Sequence, residues 1–195
     1  MIDVIAAAPD MASPSAWVER FVPLIPSGEV LDLACGRGRH TKLLAGQGCQ
    51  VIAVDRDAAA LHGLASNFVS TLCIDLEQGR TQALSDLLQA ARFAGIVVTN
   101  YLHRPLLPML LDALCNGGIL IYETFAHGNA IFGKPSNPAF LLEPGELLNA
   151  VSGARCGMQV VAYEHGFQSA PHPAMVQRLC AIRCDSNPLP AAMIL

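Results

Sequence analysis

Apolar residues fall along this chain in short continuous runs, separated by stretches with a helical period. The runs are EVLDLA (29–34), QVIAVD (50–55), STLCID (70–75), AGIVVTN (94–100), GGILIYETF (117–125), MQVVAYE (158–164) and MVQRLCAIR (175–183). Because they are continuous and not alternating, they predict strands buried on both faces. Between the first five lie helix-like stretches at 39–47, 57–66, 80–91 and 105–115. Strand and helix thus alternate through residue 125, which predicts parallel strands joined by right-handed crossovers.

Pro14 and Pro105 suit first helical turns, while Gly46 or Gly48, Gly117 and Gly118 suit helix exits. A helix over 14–22 precedes the first strand and carries Trp17, Val18 and Phe21 on one apolar face. After the fifth strand the style changes. Residues 126–140 have neither period, and a loop of that length reads either as a lid over a site or as a long connection. A short helix over 143–151 and two strands with no long helix between them follow, which suits an antiparallel pairing at the sheet edge. The expected fold is α/β: a Rossmann-like, doubly wound, mostly parallel seven-stranded sheet, helices on both faces and the last strand antiparallel.

Composition narrows this further. A length of 195 residues matches a single domain over 1–195, with 29–125 as the ligand-binding core and 126–195 as loop, helix and final strands. Hydrophobic residues make up 52% and charged residues 14%, which excludes disorder. The net charge is −4 with no run of Lys or Arg, which argues against a nucleic-acid partner. The first residues lack a basic signal-peptide region, and no apolar stretch reaches the roughly 18 residues of a membrane span, so a cytoplasmic protein with no membrane partner is expected. Seven scattered cysteines read as reduced core thiols, and no metal site is expected. The weakly charged surface leaves room for a homodimer.

The chemistry concentrates at VLDLACGRGRH, where a buried strand passes into a helix through Gly36 and Gly38. Glycines there allow positive φ and close ligand approach, and the following helix offers unpaired N–H groups. A pyrophosphate-binding fingerprint would need a third glycine at position 41, which is Thr41. Asp32 within the strand and Asp55 at the end of the next one repel phosphates, but suit a ligand with an ammonium group and a ribose diol.

The motifs follow one another in a familiar order. VLDLACGRGRHTKLL, VIAVDRD, CIDLE, FAGIVVTNYLH and LCNGGILIYETF resemble the five successive motifs of the class I S-adenosylmethionine-dependent methyltransferases, over about residues 29–125. Within that family the chain looks most like the small bacterial tellurite-resistance-type enzymes. The resemblance implies S-adenosylmethionine as cofactor and S-adenosylhomocysteine as product. It implies that Asp32 lies beneath the methionine end, with Ala34, Cys35, Gly36 and Gly38 wrapping it. Asp55 would accept from the ribose hydroxyls, with Arg56 beside the adenine or merely in solvent. Asp75 and Leu76 would meet the adenine amino group and ring, and Asn100 and Tyr101 would sit near the sulfonium. The family often has glycine where this chain has Ala34.

Several of these residues also have ordinary structural explanations. Asp55 is equally suited to ending a strand or capping the next helix with Asp57, and Cys35 to filling core space. His103 and Glu123 lie after the fourth strand and at the end of the fifth, where they are candidate general bases for an acceptor that arrives protonated. His103 is also a plausible helix-capping residue. Thr99-Asn100-Tyr101-Leu102 stands where amino-methylating nucleic-acid enzymes carry N/D-P-P-Y/F, which favours a small-molecule acceptor. RNA or protein methylation through a patch of Arg37, Arg39, Arg56, Arg92 and Arg104, and a non-catalytic cofactor-binding module, are the alternatives.

Overall fold

The computed structural model describes residues 13–79 and 81–184. Seven strands form one sheet: β1 Glu29–Leu33, β2 Gln50–Asp55, β3 Val69–Cys73, β4 Phe93–Thr99, β5 Leu114–Phe125, β6 Met158–Gln168 and β7 Ala174–Arg183. Their order is β3-β2-β1-β4-β5-β7-β6. The first five are parallel, and β7 runs antiparallel to both β5 and β6. The order reverses between β1 and β4, and such a switch point opens a crevice at the carboxyl ends of the strands. The expected seven-stranded, doubly wound sheet is therefore present.

Every residue of β4 is buried, as are the last four of β1. Two apolar layers flank the sheet. On one face Leu84, Leu87, Leu107, Leu110, Leu147 and Val151 pack against Leu31, Ile96, Leu120 and Tyr122. On the other, Trp17, Val18, Phe21 and Leu44 pack against Val30, Val97, Ile119 and Ile121. The helices that supply them are α1 Ala16–Phe21, α2 Arg39–Gly46, α3 Ala58–Leu61, α4 Gln82–Leu87, α5 Leu107–Ala113 and α6 Glu146–Ser152.

The expected antiparallel pairing is at the sheet edge, where β6 pairs with β7; β7 itself lies between β5 and β6, so its apolar run is buried on both sides. Two expectations about local structure need correction. Gly117 and Gly118 do not end a helix. The helix stops at Ala113, β5 opens at Leu114, and the two glycines accommodate a bulge opposite Phe93 to Gly95. A Cβ at Gly118 would stand 2.8 Å from the Phe93 carbonyl oxygen. The helices at 57–66 and 80–91 are short, ending at Leu61 and Leu87, because the chain turns back through Gly63 and Ala91 at φ +77° and +56°.

Segment 126–142 is tied down at both ends. Ala126 and Leu142 form a parallel bridge, and Asn129, almost fully buried, donates to the Pro135 carbonyl and accepts from the Met175 N–H. Arg104 donates to the carbonyls of Ala139 and Leu141 and pairs with both carboxylate oxygens of Glu146 at 2.7 and 2.9 Å. The segment is a connection pinned at Ala126, Asn129, Leu141 and Leu142, with most of 130–140 exposed between them, Ile131 and Phe140 included.

Candidate functional site

The crevice is built by the turn from β1 into α2. Ala34, Gly36 and Gly38 all hold left-handed φ, at +54°, +53° and +74°. For Ala34 this conformation costs about 1–2 kcal/mol. The two glycines differ in their reasons. A Cβ on Gly38 would run into Leu64 at 2.7 Å, whereas one on Gly36 would meet nothing within 4 Å. Gly38 is thus packed against the protein, while open space lies beside Gly36. The Cys35 side chain is buried in the core, where desolvation pushes its thiol up to about 12, and its N–H donates to the Val54 carbonyl.

Two carboxylates brace the turn. Asp55 Oδ2 accepts from the Gly36 N–H at 2.7 Å, and Oδ1 accepts from the Asp57 N–H at 2.9 Å. With about four acceptor positions on a carboxylate, Asp55 keeps capacity on its crevice side. Asp32 is different. It is 1% exposed and accepts from the Thr41 hydroxyl at 2.6 Å, so it anchors the first turn of α2, whose N-cap Gly38 has no side chain to offer. Burial pushes the Asp32 carboxyl up to about 7, against the opposing pull of Thr41.

A pocket of about 170 Å³ lies at the carboxyl ends of these strands, lined by Ala34, Asp55, Arg56, Ile74, Asp75, Leu76, Glu77 and Tyr101. That is below the roughly 300–1,000 Å³ of whole-ligand sites, so it takes one end of a larger molecule. Asp75 Oδ1 accepts from the Glu77 N–H, which turns the chain after β3. The Tyr101 hydroxyl is buried without a hydrogen-bond partner, and desolvation raises it above its ordinary range. A buried unpaired hydroxyl is costly, and here it borders the pocket. Asn100, at φ +54°, sets the turn from β4 into Tyr101, and its N–H donates to the Glu123 carbonyl.

The structure therefore brings together Ala34, Asp55, Arg56, Asp75, Leu76 and Tyr101. Gly36 lies beside them through its bond to Asp55. Asp32, Cys35 and Gly38 shape the loop from behind. The base candidates separate. Glu123 is 8% exposed and already engaged, accepting from Arg178 Nε at 2.6 Å and from the Ser15 hydroxyl at 3.0 Å. His103 is half-buried and precedes the 3-10 turn at Arg104–Leu106, which its carbonyl helps to close.

Sequence reasoning passed over His40, Ser15 and Arg178. His40 is 1% exposed, its Nε2 accepts from the Ser15 N–H at 3.0 Å, and its Nδ1 lies 3.3 Å from Thr99 Oγ1. The ring is neutral with its proton on Nδ1, and burial pushes it down to about 3. Arg178 also bonds Glu164 and Gln168. A histidine within the glycine-rich motif was the one available signal.

Comparison with known proteins bears on the fold. Residues 30–117 match the family described as "Methyltransferase domain". Among curated proteins, none matches this sequence. Of solved structures, TehB from Haemophilus influenzae superposes with a TM-score of 0.65 at 17% identity, covering 86% of this chain and 61% of that one. An S-adenosylmethionine-dependent methyltransferase from Mesorhizobium loti gives 0.64 at 16% identity, covering 87% and 99%. The glycopeptide N-methyltransferase MtfA, crystallised with S-adenosylmethionine, gives 0.55 at 16%, covering 94% and 100%. The chain spans about three fifths of the TehB chain it resembles. The family match is confined to residues 30–117, and the fold is shared with solved S-adenosylmethionine-dependent methyltransferases. Among the described residues, no helix is long and apolar enough to cross a membrane and no side-chain cluster has metal-binding composition.

Proposed function

We propose that this chain is an S-adenosylmethionine-dependent methyltransferase acting on a small-molecule acceptor. The observation that carries the reading is the pocket at the switch point, where Asp55 and Asp75 face an apolar floor of Ile74 and Leu76 beside the unpartnered hydroxyl of Tyr101. Such a set of acceptors fits an adenosine and rejects a pyrophosphate.

In this reading Asp55 accepts from the ribose hydroxyls and Asp75 from the adenine amino group, while Ile74 and Leu76 cover the ring and Arg56 borders it. Ala34 and Gly36 let the backbone approach the methionine portion, Asn100 and Tyr101 close the other side, and Asp32 holds the loop through Thr41. When bound, S-adenosylmethionine supplies a methyl group on a cationic sulfur, open to in-line attack with a neutral thioether as leaving group. The chain's own contribution is to hold and orient, which is worth about 7–11 kcal/mol when two reactants are aligned. Glu123, tied to Arg178, is not retained as a base. His103 remains for an acceptor that arrives protonated, and an acceptor that arrives ionised needs none.

A small acceptor is favoured because the arginines of the alternative basic patch are dispersed. Arg92 pairs with Glu29 at the opposite end of the sheet, and Arg104 with Glu146. Calorimetric titration with S-adenosylhomocysteine and, separately, with NADH tests the reading. Binding of the first and none of the second is expected; NADH binding alone would overturn it.

A further inference from the structure

Ser15 and His40 lie outside the pocket, yet they join its wall to the N-terminal helix. His40 is the second residue of α2, which starts directly from the Ala34–Gly38 turn, and the adjoining Thr41 is held by Asp32. Ser15 is the N-cap of α1, its hydroxyl accepting from the Trp17 N–H at 3.1 Å. Its N–H donates to His40, its hydroxyl donates to Glu123, and two residues earlier the Ser13 carbonyl accepts from Arg39 at 3.3 Å. The entry of α1 is thus fastened to the first turn of α2 and to the end of β5, at the carboxyl edge of the sheet.

The fastening is continuous across the strands. Thr99, Glu123, Arg178 and Glu164 are successive register partners on β4, β5, β7 and β6. Thr99 meets His40, and Glu123 meets both Ser15 and Arg178. Trp17, Val18 and Phe21 bury only the apolar face of α1. The polar contacts instead tie the helix to the loop that forms the crevice. A buried imidazole left without its donor is penalised, so α1 docked at Ser15 and the present placement of His40 favour one another.

We propose that Ser15 and His40 form a clasp that couples docking of the N-terminal helix to occupancy of the cofactor crevice, His40 being the positioning residue between the two. The proposal builds on the cofactor assignment above. Ligand binding that holds the Ala34–Gly38 turn in place holds His40 in place, and with it Ser15. By reciprocity, opening the clasp weakens the ligand by the same factor.

Trp17 is the only tryptophan of the chain and is buried on α1, so its accessibility to acrylamide reports docking directly. Three variants separate the contacts. Ser15→Pro removes the N–H and the hydroxyl at a position whose φ of −67° suits proline. His40→Phe keeps the buried ring but deletes the acceptor, and His40→Gln restores one. Affinity for S-adenosylhomocysteine, by calorimetry, should fall about fivefold or more in Ser15→Pro and His40→Phe, with recovery in His40→Gln. In the two weakened variants Trp17 should be more quenchable, and saturating ligand should return it to the wild-type level. A merely structural role would lower the melting temperature without that ligand-dependent recovery. Equal affinities in all four proteins, or Trp17 quenching indifferent to ligand in the variants, would overturn the clasp alone; if wild type itself does not bind, the cofactor reading falls and takes the clasp with it. Should Ser15→Pro not fold, the two His40 variants decide the question.

Discussion

Asp55 and Gly36 are joined by a 2.7 Å hydrogen bond, with the carboxylate at the end of β2 accepting from a backbone N–H in the turn after β1. The bond runs between neighbouring strands, so the second acidic residue of the site sets the shape of the loop that the first strand presents. Removing the carboxylate therefore affects the pocket twice, as a lost ligand contact and as a lost brace.

Ala34 is strained at φ +54°, and Ala34→Gly should relieve it. The left-handed penalty of about 1–2 kcal/mol is partly offset by the greater unfolded-state freedom of glycine, about 0.5–1 kcal/mol. A net gain of up to about 1 kcal/mol, seen as a rise in melting temperature of about 2–4 °C at most, is expected by calorimetry.

The buried Asp32 should leave a mark on the pH dependence of stability. Its folded-state pKa, about 7, lies above the ordinary 3.8, so its contribution is fully present below about pH 4 and is lost as pH rises through 7. His40 acts in the opposite sense: its folded value of about 3 lies below 6.5, so its contribution is lost as pH falls from about 6.5 toward 3. Between about pH 4 and 6.5 the two slopes cancel. Asp32→Asn, which mimics the protonated acid, removes one of them. Its melting temperature relative to wild type should climb from pH 4.5 to about 7 and level off above that; a constant difference would contradict the assignment.

Arg104 holds the segment after β5 by two carbonyls and a bidentate carboxylate. Arg104→Ala should speed hydrogen exchange and proteolysis within 137–142 while costing about 1–2 kcal/mol or less, since the pair is partly solvated. Protection unchanged from wild type would show that apolar packing alone holds the segment.

Much of the fold was legible because buried parallel strands are continuous apolar runs, and β1, β2, β4 and β5 are of that kind. The positions of the motif carboxylates follow for a related reason, since Asp55 ends β2 and Asp75 comes two residues after β3, each beside a turn. What stayed hidden depended on the third dimension. Nothing in the run MVQRLCAIR tells whether it lies inside or at the rim, and β7 is interior because it pairs with both β5 and β6. Glu123 looked like an available base until Arg178, 55 positions away, was found against it. The Thr41 hydroxyl that donates to Asp32 was likewise not foreseen, because it needs the turn into α2 to bring the two together. His40 drew no attention, because its role needs Ser15 on a separate helix.

The most direct measurement is calorimetric titration of S-adenosylhomocysteine into wild type and Asp55→Ala. Binding by wild type, weakened in the variant by about 1–3 kcal/mol, or roughly 5- to 150-fold, is the predicted result. Equal affinity in the two proteins would contradict the placement of the ribose against Asp55, and no binding by wild type would contradict the function itself.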